Sequence, residues 1–328
     1  MLYFSVLTRT VLSLFAMIPD ASIAQGLAEN YPARPVQVVV PFPPGGVTDV
    51  EARLYTQKLT ENLGRAFVLD YKAGAGQTIG TGFVAKAAPD GYTLLVITSG
   101  FTVNPAFYKS LPYDPARDFA PVSLMTKRPT LLVVHPSLPA KSVNEYLVYA
   151  KANPGKINWA TNGAGGVTHL TGAWLHNATH TQVTFVHYKG SASLQLDLNA
   201  GRTQVTTTTF LTALPLIKSG KLRALAIASM DRSALLPDLQ TIAEQAVPGY
   251  DYSSWLGIIA PAGIPPAILA KLSSELSKVA KTAEIAQKLA DEGTVMVGST
   301  PEQFRRHIIN EINRWQKLVE ETGIKLEE

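Results

Sequence analysis

From Val36 onward the chain alternates short apolar runs with stretches whose apolar residues recur every three or four positions. The runs read as strands and the periodic stretches as helices. Val38-Val39-Val40 is β-branched throughout and suits a strand covered on both faces. Pro41, Pro43 and Pro44 stop it, because proline fixes φ and has no N–H to give a ladder. Gly45-Gly46 let the backbone turn, and Thr48 with Glu51 three residues later predicts a capping box at a helix start. That helix carries Leu54 and Leu59 and ends near Gly64. A second strand at 66–71 leads to Gly74-Ala75-Gly76 and a helix with Ile79, Phe83 and Val84 on one face. Pro89-Asp90-Gly91 marks a turn before a third strand at 92–98. Residues 99–118, interrupted by Pro105, Pro112 and Pro115, read as irregular.

The middle of the chain repeats the device. Residues 122–126 and 130–135 read as two short strands around Pro129, the first crossing between two halves of the molecule. Ser142 and Glu145 form the pattern of a capping box, and Asn153-Pro154-Gly155 ends the helix it opens. A strand at 157–161 runs into Asn162-Gly163-Ala164-Gly165-Gly166 and a helix over 168–177. Strands follow at 183–186, 203–210 and 222–228, the second rich in threonine. The return crossing falls near 250–254, before a strand at 255–260. A long helix carries Ile268, Leu272, Leu276 and Val279. Thr300-Pro301-Glu302-Gln303 predicts a capped start for the last helix. Alternation of this kind argues for an α/β fold with largely parallel strands.

Composition narrows the chemistry. The chain has 328 residues, room for two ordinary domains, and no cysteine. Disulfides, thiol nucleophiles, iron–sulfur clusters, thiolate zinc sites and a cysteine-linked lipid anchor are therefore excluded. The formal net charge of +4 is spread along the chain, with no basic cluster interleaved with aromatics, so nucleic acid is not an expected partner. Before the alternation begins, Arg9 precedes an apolar run from Val11 to Ile18, and Ser22-Ile23-Ala24 follows. This predicts a signal peptide over residues 1–24, too short for a bilayer span of ~20 residues. The expected mature protein is exported and periplasmic.

A strand, a Gly-rich turn and a helix start recur at Gly45-Gly46, at Gly74-Ala75-Gly76 and at Gly163-Ala164-Gly165-Gly166. A helix start offers unpaired N–H groups and a partial positive charge, a ready seat for a carboxylate or phosphate. In parallel α/β sheets such turns lie at the carboxyl ends of strands, where ligands bind. Two facing lobes would bring all three to one cleft. Hydrogen bonds to a charged group contribute ~1.5–3 kcal/mol each. Four give roughly 6–12 kcal/mol, against about 8 for micromolar binding, so backbone turns alone could hold a small carboxylate.

Several segments resemble the Bug family of extracytoplasmic solute receptors of tripartite tricarboxylate transporters. They are Pro41-Phe42-Pro43-Pro44-Gly45-Gly46-Val47-Thr48-Asp49, Gly74-Ala75-Gly76 with Ile79-Gly80, residues 88–95, Tyr188-Lys189-Gly190, residues 220–226 and residues 297–302. The resemblance runs from about Tyr31 to about Lys325. It implies a two-lobe periplasmic-binding-protein fold (Venus flytrap, type II), each lobe a mostly parallel sheet flanked by helices. The expected lobes are residues 25–126 with 254–328, and residues 127–253. It also implies a monomeric, non-enzymatic receptor without cofactor or metal, serving a two-subunit integral membrane permease. Carried onto this chain, the ligand residues are Phe42, Gly45, Gly46, Thr48, Asp49, Gly74, Ala75, Gly76, Asn162, Gly163, Thr168 and His169, with Thr208 beside them. The family often has acidic residues where this chain has Gln204 and Thr208. With Thr206–Thr209, that departure favours a carboxylate ligand without an ammonium group.

Rival readings rest on single features. Gly74-x-Gly76-x-x-x-Gly80 approaches a dinucleotide fingerprint, so an NAD(P)-dependent oxidoreductase is the enzyme alternative. A carboxylate-sensing partner of a signalling receptor is another. His169, His176 and His180 have helical spacing that a metal could use, but no carboxylate joins them. The plainer expectation is His169 lining the pocket and two surface histidines.

Overall fold

The computed structural model describes residues 29–108, 110–188 and 191–325. The expected signal peptide and Lys189-Gly190 lie outside them. The first unit is β1 (Val36–Val40), α1 (Val47–Leu63), β2 (Phe67–Tyr71), a 3-10 turn (Ala75–Gln77), α2 (Thr78–Ala85) and β3 (Thr93–Thr98). β1 pairs in parallel with both β2 and β3. Its valines 36, 38, 39 and 40 are fully buried, as a strand with helices on both faces requires.

Two expectations fail next. Residues 100–107 form a helix, α3 (Gly100–Phe107), despite Pro105 within it. The helix holds because its buried residues, Phe101 to Asn104, dock it, so packing overrides the proline. The two short strands around Pro129 are one 16-residue strand, β4 (Phe119–Val134). It absorbs its prolines by register shifts near Pro121 and by ending its pairing with β9 (Ser253–Pro261) at Pro129.

The second half follows as α4 (Val143–Ala152), β5 (Asn158–Thr161), α5 (Val167–Thr179), β6 (Thr184–His187), α6 (Ser191–Asn199), β7 (Val205–Thr209), α7 (Phe210–Lys218), β8 (Arg223–Ile227) and α8 (Ile242–Gln245). Ser142 caps α4 by accepting from Glu145 N, but the Glu145 carboxylate reaches back to Lys141 N, one residue further than a capping box. After β9 come α9 (Pro266–Ala280), α10 (Ala283–Ala290), β10 (Val295–Met296) and α11 (Pro301–Thr322). The capping box at Thr300 and Gln303 forms in both directions.

The main sheet path is β2-β1-β3-β9-β4-β7-β5-β6. Its outer strands are parallel within each half, while β4 and β9 cross antiparallel between them. One core gathers Val38, Tyr55, Leu94, Leu256 and Leu272 under the first half. Another gathers Leu132, Trp159, Val205 and Tyr250 under the second. Helix α11 spans the two: Phe304 and Ile308 pack with first-half residues, whereas Trp315 and Leu318 belong to the second core.

Candidate functional site: facing glycine turns at the crossing strands

The strand directions decide where the glycine turns point. β3 and β4 both pair antiparallel with β9, so they run alike; β7 pairs antiparallel with β4, so β5, β6 and β7 run the other way. Leu256 stands opposite Thr98, the end of β3, and opposite Thr126 on β4. Thr209, the end of β7, stands opposite Thr130. The carboxyl ends of the two strand sets thus face each other across four residues of β4, roughly 13 Å at strand rise. All three glycine turns follow strands of these sets.

In the first turn Gly46, extended at φ −83° and ψ 172°, is the N-cap, and α1 begins at Val47. Thr48 is therefore inside the helix, and the capping box expected from Thr48 and Glu51 does not form. Asp49 does the closing: its buried carboxylate accepts from Gly45 N at 2.8 Å and from Tyr71 OH at 2.6 Å, with Arg53 Nε at 3.0 Å. Burial pushes the Asp49 pKa up, but the bonds from Tyr71, Gly45 and Arg53 outweigh it and hold the carboxyl below its ordinary value. Glu51 faces the interior, where it accepts from Thr126 and Tyr55 and lies 3.3 Å from Arg128. Phe42 packs partly buried against the first core.

The second turn has four successive residues at positive φ: Gly74 (132°), Ala75 (44°), Gly76 (58°) and Gln77 (79°). It is pinned from behind, by Asn104 Nδ2 donating to Gly76 O and Gln77 Nε2 donating to Thr98 Oγ1. Its helix starts only at Thr78, so the glycines do not form the strand-to-helix turn that a dinucleotide fingerprint needs.

The third turn repeats the first. Gly45-Gly46-Val47-Thr48-Asp49 and Gly165-Gly166-Val167-Thr168-His169 share four residues of five, a repeat that inspection for self-similarity at this short length would have found. Gly166 is an extended N-cap at φ −67° and ψ 164°, and α5 begins at Val167. Gly165 N donates to His169 Nδ1 at 3.0 Å, the counterpart of Gly45 N to Asp49. His169 thus carries its proton on Nε2 in the neutral form. Burial, with His187 beside it, lowers its pKa to about 4. Thr168 Oγ1 accepts from Asn162 N, which closes the loop over Gly163. No side chain caps either α1 or α5; His169 N turns back to Gly166 O at 2.9 Å, and the first two amides of each helix are left open.

A cavity of about 190 Å³ lies at the crossing, lined among others by Thr130, Asn162, Thr168, Thr208, Tyr252 and Ser254. Of the residues expected at the site, Asn162, Thr168 and Thr208 line it. Phe42, Gly45, Gly46, Thr48 and Asp49, with Gly74, Ala75 and Gly76, belong to the other half and do not line this cavity, nor does Gly163. His169 lies beneath its own turn, against Phe185 at a ring distance of 4.4 Å, and borders a separate groove. A larger cavity of about 390 Å³ opens on the other face of the crossing strands, where Lys127, Pro129, Asp251 and Ser253 point. None of the three glycine turns lines it, whereas the third borders the smaller cavity through Asn162, Val167 and Thr168, so the smaller cavity is the better candidate.

Two expectations need correction. His176 is not on the surface: it is buried, bonded to Tyr146 OH and Thr181 Oγ1. Gln204 lies at the far end of β7 from Thr209, tied to Asn158 N and Gly201 O, and takes no part in the cavity. Among the described residues no group of three or more histidine and acidic side chains could hold a metal ion. Sequence reasoning did not single out Thr130 on β4, Gln195 on α6 or Tyr252 just before β9, because nothing local marks a residue as cavity-facing.

Comparison with known proteins agrees with this architecture. The model for "Tripartite tricarboxylate transporter family receptor" matches residues 51–324. Protein BugT of Bordetella pertussis is 38% identical over 323 residues, covering 98% of this chain and 99% of its own. The structure of R. palustris Rpa4515 with adipate superposes at TM-score 0.76 with 36% identity, covering 90% of this chain and 99% of the other. MatC from Rhodopseudomonas palustris with bound malate gives TM-score 0.72 and 32% identity, covering 88% and 100%. These are binding receptors, not enzymes. The chain has their two-lobe α/β fold and belongs to the tripartite tricarboxylate transporter receptor family.

Proposed function

We propose that this chain is an exported receptor that captures a small carboxylate between its lobes and passes it to the two-subunit membrane permease of a tripartite transporter. Residues 1–24 are the export signal, residues 25–126 with 254–328 make one lobe, and residues 127–253 make the other. The mature protein works as a periplasmic monomer. The observation that carries the reading is the pair of uncapped helix starts, α1 and α5, built on one five-residue plan at facing strand ends. An anion between them would meet open amides and a favourable helix field from both sides.

The backbone of Gly45, Gly46, Thr48, Gly74, Ala75 and Gly76, beside Phe42, grips the ligand from one lobe. Asn162, Gly163, Thr168 and Thr208 grip it from the other. Asp49 and His169 hold the turns in shape from beneath. Adipate and malate in the two related structures support a carboxylate as the guest. A 190 Å³ cavity is below the ~300–1,000 Å³ of drug-sized sites, which suits a small acid.

A thermal-shift screen of the mature protein against organic acids tests this. A ligand at 100 times its Kd should stabilise by about 2.7 kcal/mol. Shifts with amino acids or nucleotides, and none with acids, would sink the reading.

A further inference from the structure

We infer that Thr130 and Gln195 touch the ligand, and that Gln195 selects a carboxylate bearing a hydroxyl group. This rests on the receptor reading above. Both residues line the small cavity, and each carries a buried polar atom that has no hydrogen-bond partner within the protein: Thr130 Oγ1 and Gln195 Oε1. Buried polar atoms are normally satisfied, so an orphan beside a cavity asks for a partner from what the cavity holds.

The surroundings show that Thr130 is not simply a loosely placed threonine. It is 5% exposed, its carbonyl accepts Ala228 N–H, and it stands in register with Thr209. Nearby threonines are satisfied inside the protein: Thr206 donates to Ala160 O, and Thr207 pairs with Thr171. Gln195 lies on α6 one turn from Ser191, and Ser191, Leu194 and Gln195 share the face that borders the cavity.

The two orphans ask for different things. A hydroxyl can donate to a carboxylate, whereas a glutamine oxygen only accepts. At neutral pH a plain carboxylate has no proton to offer it. An ammonium group would, but the cavity wall contains no aspartate or glutamate to offset its charge. Burial raises the pKa of the wall's one phenol, Tyr252, so it stays neutral. A ligand hydroxyl close to the carboxylate supplies the missing donor without a charge.

Titration calorimetry at pH 7.5 tests this with three pairs of acids that differ only by a hydroxyl: lactate and propionate, malate and succinate, mandelate and phenylacetate. Wild type, Gln195→Leu and Thr130→Val are compared, with melting curves to show that each is folded. The hydroxylated member of at least one pair should bind roughly tenfold tighter or more to wild type. Gln195→Leu should erase that difference by weakening the hydroxylated acid alone. Thr130→Val should weaken both members about equally, by roughly fivefold or more. Equal binding of both members to wild type overturns the inference, as does a preference that survives Gln195→Leu. If Gln195→Leu weakens both members alike, the amide offers its N–H to a second carboxylate and hydroxyl selection is wrong. Failure of every acid to bind wild type would instead overturn the receptor reading itself.

Discussion

The first and third glycine turns use the same residues up to the fifth position, where one has Asp49 and the other His169. In both, the fifth side chain accepts the N–H of the first glycine. The shared requirement is therefore an acceptor beneath the turn, not a charge. The difference lies in how each acceptor avoids spoiling an anion site. Asp49 is negative, and Arg53, one helical turn on, sits against it with Tyr71. His169 is neutral, and the residue one turn on is Ala173, which brings no charge. A seat for a carboxylate can thus be built over a compensated anion or over an uncharged ring.

Acid should separate the two most strongly. His169, His176 and His307 each have a folded pKa lowered to about 4, mainly by burial. Their neutral forms belong to the folded state, so stability is fully present above the unfolded value near 6.5. It is lost as pH falls from there toward 4. Buried His176 alone could account for about 3 kcal/mol at 1.36 kcal/mol per pKa unit. Within that window the third turn should open first, since a proton on His169 Nδ1 removes its acceptor. In a proton–nitrogen NMR titration the Gly165 amide should shift with a midpoint near pH 4. The Gly45 amide should hold to lower pH, because the Asp49 pKa is lowered. Coincident midpoints would show that the turns are not independent.

Removing the first acceptor comes next in size. Asp49→Ala leaves Gly45 N, Tyr71 OH and Arg53 without their buried partner. Buried groups left unsatisfied cost about 1–3 kcal/mol each, so chemical denaturation should read a loss of about 2–4 kcal/mol. Asp49→Asn keeps an acceptor oxygen and should lose under half as much. An equal loss in both would mean that the charge, not the acceptor, shapes the turn.

Exchanging the acceptor types is gentler. His169→Asp copies the first turn into the third without its cation. The turn should survive, but the uncompensated charge should weaken carboxylate binding by roughly tenfold, about 1.4 kcal/mol. Adding Ala173→Arg should recover most of that in calorimetry. Undiminished binding by His169→Asp alone would show that the ligand does not sit at the third turn.

The two turns also show what could be read in advance. Their strands, glycine bends and helix starts were legible because buried β-branched runs, prolines and glycines act locally. The N-cap was misplaced because Thr48 satisfies the local rule, yet Asp49 at the following position makes the better bond once Gly46 is extended. Helix α3 and the continuity of β4 were hidden because both contain prolines that only long-range packing tolerates. Gln204 was misjudged for a related reason. The composition of β7 says nothing about which end faces the crossing, and only its register with β4 places Thr208 there and Gln204 away from it.

The smallest expected effect falls on Arg53, and it is the most pointed. Its side chain is 58% exposed, so its ion pair with Asp49 should add little to stability, and Arg53→Gln should melt with wild type. Binding should respond differently, because Arg53 is what keeps the Asp49 charge from facing an anion at the head of α1. A loss of roughly two- to threefold is expected, larger at low salt and smaller at high salt as screening lengths shorten. Lower stability with unchanged affinity would make Arg53 a brace for the helix. Lower affinity at constant stability would mean that the first turn needs its cation where the third, resting on a neutral ring, needs none.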